Sequence, residues 1–292
     1  PLGPYLAAVM RGAPMRGDAV FGRIERPLYR LLGVDPAQGM GWKAYATAFL
    51  ASNAVVGALV WLVFMTQAWL PLNPNDAPNM RWDLALHTMV SFLTNTNQQH
   101  YSGQAQLSHL AQMTGIVGLQ VVTPMMGLAL VVATLRGLFG GRGHDTTSTA
   151  AKGEADVGNY WADVLRPTVR VMLPLCLLWS LLLTWQGVPS TLQGGPVATP
   201  IDASAQMAEQ KIPVGPVAAM VAAKQLGTNG GGWYGPNSAV PLENPTPFSN
   251  LLETLAILLI PVSIAFMVGS FTGRRKFTAL VFGTMLTMSA IS

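Results

Sequence analysis

Apolar residues in this chain run in long blocks broken by short polar punctuation. Ala44–Leu70, Leu107–Leu135, Val171–Trp185 with its flanks and Leu251–Phe271 each meet or approach the window of about 19 residues that marks a membrane-spanning helix. Two shorter apolar stretches, Asp83–Phe92 and Pro216–Leu226, hold only about 10 and 11 residues, too few to cross ~30 Å of hydrocarbon. They read as re-entrant half-helices. Asp83 is placed to cap the N-terminus of the first, and Pro216 suits the first helical position of the second. Each runs into an extended polar stretch, and a full span follows. Span, half-helix, polar stretch and span thus occur twice, which is an internal repeat. Phe277–Ile291 reads as the opening span of a third such unit, cut short.

The pattern predicts an all-α polytopic membrane protein with a simple division. Residues 1–43 form a basic cytoplasmic or interfacial segment, 44–138 the first span–pore–span unit and 139–162 a cytoplasmic loop. Residues 163–272 form the second unit and 273–292 the truncated start of a third. The sequence starts at Pro1, without an initiator Met, and stops within an apolar run, so it reads as an internal portion of a longer chain.

Composition agrees. Hydrophobic residues make up 50% and charged residues 10%, against roughly a quarter charged in an average soluble domain. The net charge of +4 could suggest nucleic acid, but its placement argues for a bilayer. If 1–43, 136–170 and 272–276 are cytoplasmic, 14 of the 17 Lys and Arg lie on that side, leaving Arg81, Lys211 and Lys224. Such a bias is the positive-inside pattern. It would collapse if either half-helix were a full span, because every later segment would invert. Within 1–43, Arg11, Arg16, Arg23, Arg26, Arg30 and Lys43 accompany an amphipathic patch at Phe21–Leu32, as expected of a helix on a membrane surface. Residues 136–170 read as a polar, solvated link rich in Gly, Ser and Thr. The lone Cys176 lies inside a span, so it serves no disulfide or cysteine metal site and reads as a small buried hydrophobe.

The polar stretches carry the candidate chemistry. Thr94-Asn95-Thr96-Asn97 and Leu226-Gly227-Thr228-Asn229-Gly230-Gly231-Gly232-Trp233 share a Thr-Asn opening and the same place in the repeat. Irregular backbone at membrane depth is tolerated only where it is buried in protein or lines a water-filled cavity. Three glycines without Cβ let carbonyls turn toward a common axis. A half-helix C-terminus adds the negative end of its dipole. None of these residues is charged. Neutral oxygens suit a monovalent, weakly hydrated cation better than Mg²⁺ or Ca²⁺, so both stretches read as ion-filter segments, with potassium the natural candidate.

Other motifs weigh less. Gly230, Gly232 and Gly235 match G-x-G-x-x-G, but a half-helix precedes them and Pro236 follows, so the dinucleotide context is missing. His87, His100 and His109 could suggest a membrane metallohydrolase, yet their spacings fit no zinc-ligand pattern; His100 reads as a polar residue at the pore mouth. Asp83, Glu243 and Glu253 are the acids nearest the pore, and Glu243 either attracts cations or pairs within its loop. The sequence lacks G-x-x-x-x-G-K-[ST] and Asp-Lys-Thr-Gly. It presents no catalytic residues and no cofactor site, so ATP dependence would have to come from another chain.

Asn73-Pro74, Trp82-Asp83-Leu84-Ala85-Leu86, Thr94–Asn97, Tyr101-Ser102-Gly103, Leu226–Gly232 and Glu243-Asn244-Pro245-Thr246 together resemble the KdpA family, the potassium-binding subunits of bacterial Kdp potassium-transporting ATPases. The resemblance covers essentially the whole sequence, about the first half of the family's chain without its first helix. It implies the potassium-channel-like fold of the superfamily of K⁺ transporters, with four span–pore–span units around one filter. Two of the four would lie here, with Thr94, Asn95, Thr96, Asn97, Thr228, Asn229, Gly230, Gly231 and Gly232 binding K⁺ and Gln98, Gln99 and Trp233 supporting them. It further implies a multi-pass protein of the bacterial inner membrane, in complex with a KdpB-like P-type ATPase subunit and KdpC-like and KdpF-like accessory subunits. The complex would be an ATP-driven importer. This chain would select K⁺ on the extracytoplasmic side and pass it on, binding no nucleotide and no nucleic acid. The alternative is a stand-alone potassium channel or an ion-gradient-driven uptake protein. Gln98 stands where the family usually has Trp, and Trp233 where it usually has Phe.

Overall fold

The computed structural model describes residues 1–139, 155–202 and 207–291. Most of the expected loop 139–162, with Arg142 and Lys152, lies outside them. Helices dominate. Those of eight residues or more are, in chain order, α1 (Leu2–Arg11), α2 (Asp18–Leu32), α3 (Trp42–Thr66), α4 (Trp82–Leu93), α5 (His109–Phe139), α6 (Tyr160–Trp185), α7 (Val217–Leu226), α8 (Pro247–Thr272) and α9 (Arg275–Ile291). Helices α3, α5, α6 and α8 are long and apolar enough to cross a membrane. Leu50, Leu59, Leu62, Leu177, Leu181, Leu255 and Leu258 are exposed along them, as required where the surrounding solvent is lipid. Trp42 and Trp185 are exposed near the ends of α3 and α6 and Trp69 just past α3, the position of an interfacial aromatic belt.

Several boundaries differ from the sequence reading, each for a local reason. Asp83 does not cap α4: it lies inside the first turn, Arg81 is the flanking residue, and the Asp83 carboxylate accepts from Arg81 Nη2 at 3.0 Å. Pro216 is the flanking residue of α7 rather than its first helical one. The polar link is shorter than 136–170, because α5 continues to Phe139 and α6 starts at Tyr160. Asn159 caps α6 through Oδ1, which accepts from the Ala162 N–H at 3.1 Å. Helix α1 and a small antiparallel hairpin, β1 (Val197–Ala198) with β2 (Gln210–Lys211), were not anticipated.

Two compact units emerge, and α3, α5, α6 and α8 contribute residues to both. One comprises Pro1–Ala54, Val122–Pro174 and Ile257–Ser292. Among its buried apolar residues lies a polar cluster. The Arg136 guanidinium pairs with Asp163, donates to Val157 O at 3.0 Å and to Met10 O at 2.9 Å. The Tyr45 hydroxyl reaches Asp163 Oδ2 at 3.0 Å and Ala129 O at 2.9 Å. Amphipathic α2 is tied to α6 by Arg170, which meets Glu25 at 2.6 Å and Asp18 at 2.7 Å.

The other unit comprises Val55–Val121 and Leu175–Ala256. It contains both half-helices, and α7 packs against a π-helical turn of α5 at Gln112–Val117. Phe64 and Phe92 are fully buried in it. Gly115 in that turn leaves room for the Phe64 ring, whose Cε1 would stand 2.6 Å from any Cβ there. A single π turn of this kind often marks a functional position in a helix.

Candidate functional site

The half-helices are short in fact as well as in sequence. At 1.5 Å per residue, the 12 residues of α4 span about 18 Å and the 10 of α7 about 15 Å. The chain also comes back to where it left. Gln67, just past α3 and fully buried, donates Nε2 both to Pro78 O, before α4, and to Gln106 O, after the first polar stretch, at 2.6 and 2.7 Å. Its Oε1 accepts from the Ser108 N–H at 3.0 Å. In the second repeat, Gln186 follows α6 and its Oε1 accepts from Thr246 Oγ1 at 2.7 Å, immediately before α8. The Ala218 N–H in the first turn of α7 donates to Pro189 O at 3.0 Å. One glutamine at the end of each long helix therefore holds the chain that returns after the short helix and its polar stretch.

Backbone hydrogen bonds align the two polar stretches. Thr94 N–H donates to Val90 O and Gly227 N–H to Ala223 O. Asn95 N–H reaches Phe92 O and Thr228 N–H reaches Gln225 O; Thr96 N–H reaches Ser91 O and Asn229 N–H reaches Lys224 O. Thr94 thus corresponds to Gly227, Asn95 to Thr228, Thr96 to Asn229 and Asn97 to Gly230. The shared Thr-Asn letters are out of register by one residue. The dihedral angles agree: φ is +59° at Asn95 and +54° at Asn97, +55° at Thr228 and +96° at Gly230, while Thr96 and Asn229 between them are not positive. Left-handed residues at alternate positions turn successive carbonyls toward one side and successive N–H groups toward the other, the logic of a backbone nest. Asn tolerates such angles, but a β-branched Thr does so at a cost of about 1–3 kcal/mol. Strained Thr228 is held by the bonds of its own and the next residue's N–H to the last turn of α7.

Side chains fasten one stretch to the other. Gln99 is buried and meets Gly232 twice: Nε2 donates to Gly232 O at 3.0 Å, and Oε1 accepts from Gly232 N–H at 2.9 Å. Asn229 Nδ2 donates to Asn95 Oδ1, which also accepts from Asn97 Nδ2 at 3.2 Å. Gln120, fully buried in α5, donates to Gly231 O at 2.6 Å, and the Asn237 N–H donates to Gly230 O at 2.7 Å. The glycine carbonyls are thereby fixed in direction, each keeping a second lone pair. Thr94, Thr96 and Thr228 are exposed, whereas Asn97, Asn229, Gly231 and Gly232 are buried. A Cβ at Gly231 would stand 2.5 Å from the Phe92 ring and one at Gly232 2.7 Å from the Glu243 carboxylate, so both glycines are there for close approach.

The supporting residues divide. Trp233 is buried, with its ring 5.2 Å from that of His109. Gln98 is exposed, and its carbonyl accepts from Ser91 Oγ at 2.9 Å. The His87 and His100 rings meet at a tilt, with centroids 4.6 Å apart, while His109 lies against Trp233, so the three histidines do not converge. Among the described residues no group of three or more His, Cys, Asp or Glu could hold a metal. Gly235 is extended and Pro236 opens a short 3₁₀ turn, which leaves G-x-G-x-x-G without its strand and helix. Glu243 settles on pairing: fully buried, it binds Lys224 Nζ and accepts from the Tyr234 N–H at 3.0 Å and Ser238 Oγ at 3.1 Å. Glu253 is buried and accepts from Gln225 Nε2. Sequence reasoning passed over Gln67, Gln120 and Lys224. The available signal was a lone polar residue inside or beside an apolar run, since such residues are costly at membrane depth and face the protein interior.

A family model described as KdpA, Potassium-transporting ATPase A subunit, matches residues 1–292. The chain is 43% identical over 287 residues to the potassium-transporting ATPase potassium-binding subunit of Pseudomonas aeruginosa, covering 98% of this chain and 48% of that protein. It is 42% identical over 290 residues to that of Pseudomonas putida (99% and 49%) and 42% over 294 residues to that of Gloeobacter violaceus (98% and 49%). It spans about half the length of these relatives. A polytopic helical chain with two uncharged loops behind short helices, matched along its whole length, belongs to the KdpA family.

Proposed function

We propose that this chain contributes two segments of a potassium filter to the potassium-binding and translocating subunit of an ATP-driven import complex. The observation that carries the reading is the pair of polar loops, each returned by a glutamine to the end of its own long helix and bonded to the other through Gln99–Gly232 and Asn229–Asn95. Backbone oxygens of Thr94, Asn95, Thr96, Asn97, Thr228, Asn229, Gly230, Gly231 and Gly232, aided by the Thr and Asn side chains, replace the hydration shell of K⁺. The C-terminal ends of α4 and α7 supply a favourable dipole for a cation. Gln99 and Trp233 hold the loops, while Gln98 contributes its backbone rather than a packed side chain.

Potassium enters from the extracytoplasmic face and passes to a KdpB-like P-type ATPase subunit, with KdpC-like and KdpF-like subunits completing the assembly in a bacterial inner membrane. Relatives bearing the name of an ATPase subunit favour this over a stand-alone channel. ATP hydrolysis belongs to the partner. The test is to purify the full-length protein with its partners and measure ATP hydrolysis and ⁸⁶Rb⁺ uptake in proteoliposomes against K⁺ and Na⁺. Hydrolysis stimulated by K⁺ but not Na⁺ is expected. Flux without ATP, or without preference between the two ions, would overturn the reading.

A further inference from the structure

Behind the second filter segment lies a charge pair that the filter chemistry leaves unused. Lys224 and Glu243 are both fully buried. Lys224 sits in the last turn of α7, and its backbone carbonyl accepts the Asn229 N–H at 3.0 Å. Its Nζ donates to Glu243 Oε2 and to Ser238 Oγ. Glu243 Oε1 accepts the Tyr234 N–H at 3.0 Å, two residues past Gly232, and Oε2 accepts from Ser238 Oγ at 3.1 Å. The carboxylate also fills the space beside Gly232, where a Cβ would stand 2.7 and 2.8 Å from its two oxygens.

One ion pair therefore clasps the segment at both ends. Through Lys224 it holds the start, where strained Thr228 and Asn229 leave the helix; through Glu243 it holds the finish at Gly232–Tyr234. It also sets the local field. A lone ammonium at the C-terminal end of α7 would oppose the helix dipole that favours a cation, and in a site shielded from water that repulsion would be strong. Glu243 cancels it.

We infer that the buried Lys224–Glu243 pair is the positioning brace of the second filter segment, so that potassium affinity and discrimination depend on both charges although neither side chain reaches the ion. The inference rests on the proposed filter. Breaking a buried pair leaves an uncompensated charge, whereas removing both members together is far milder. Coupling between the two positions is the mark of such a pair.

The experiment uses the full-length transporter with its partner subunits, reading KM and maximal rate for K⁺ and the ratio of K⁺ to Rb⁺ transport. Glu243→Gln and Lys224→Met are each expected to raise KM by about tenfold or more, with a smaller change in maximal rate and a lower K⁺/Rb⁺ ratio. The double variant is expected to lie well below the product of the two single effects. Single variants that assemble normally yet keep the parental KM and ion ratio would overturn the inference. If a single variant does not assemble, Ser238→Ala, which removes only the shared hydroxyl, is expected to raise KM about two- to fivefold; a parental KM there overturns it equally. Failure of the unmodified complex to respond to K⁺ is a separate result and would remove the filter reading itself.

Discussion

Gly231 and Gly232 are where single atoms matter most. Any side chain at 231 meets the Phe92 ring at 2.5 Å, and one at 232 meets the Glu243 carboxylate at 2.7 Å. Packed interiors do not absorb such overlaps cheaply; they shift backbone, typically for 1–3 kcal/mol. Gly232→Asp adds a second carboxylate against Glu243. In the full-length complex this variant is expected to lose at least about tenfold in K⁺ affinity or discrimination; unchanged ⁸⁶Rb⁺ uptake kinetics would take these glycines out of the site. Gln120→Leu keeps the volume but removes the donor to Gly231 O. An orphaned buried carbonyl costs about 1–3 kcal/mol, so a melting temperature several degrees lower is expected by thermal unfolding in detergent, together with weaker K⁺ protection against heat.

At the scale of elements, the proposed re-entrant arrangement puts the chain before each half-helix and the chain after its polar loop on one side of the bilayer. With Cys176 replaced by Ala, cysteines introduced by Asp76→Cys and Ala105→Cys, at exposed positions before α4 and after its filter loop, are expected to react with the same impermeant maleimide from the same side. Labelling from opposite sides would make α4 a span. Helix α2 is held by charge as well as by its apolar face. Glu25 is buried against Arg170 in a two-pronged contact at 2.6 and 2.8 Å, and Glu25→Gln is expected to cost about 1.5–3 kcal/mol by removing a charged acceptor while Asp18 still pairs with the guanidinium. Asp18 is the exposed partner. Its carboxyl is held below the usual value first by the Met15 N–H and then by Arg170, with desolvation working the other way. A depressed carboxylate stabilises the fold above the unfolded value of about 3.9 and stops doing so as pH falls through the folded value. The melting-temperature gap between the parent and Asp18→Asn should therefore be constant from pH 7 to 5 and close on acidification below about 4.

The chain carries two of the proposed filter loops, and its relatives are about twice as long. Two loops offer a cation half of the ring that the proposed four-unit filter requires. Reconstituted alone in liposomes, residues 1–292 are expected to give no K⁺-over-Na⁺ selective ⁸⁶Rb⁺ flux, whereas the full-length complex does. Selective flux through the chain alone would mean that its own copies complete the ring. The two compact units differ in what holds them. One is built around Arg136–Asp163 and Arg170–Glu25, the other around amide side chains on the backbone of Gly231 and Gly232. Between helices in lipid there is no hydrophobic drive to associate, so packing and polar contacts of this sort carry the specificity.

The sequence by itself determined the spans, the two short helices and the uncharged loops after them. Those features depend on local composition and length: about 20 apolar residues cross a bilayer, 10 do not, and glycine is cheap where backbone must turn. Gln67 as the staple of a returning strand, Gln99 as a two-pronged clamp on Gly232 and Glu243 as the partner of Lys224 came only from tertiary structure, because each joins residues far apart in the chain or across a turn whose path no local rule specifies. The register of the loops belongs to the same class. Identical letters suggested Thr94 opposite Thr228, but the hydrogen bonds that end each helix set Thr94 opposite Gly227, since it is the last helical turn and not the residue name that decides which carbonyl comes next.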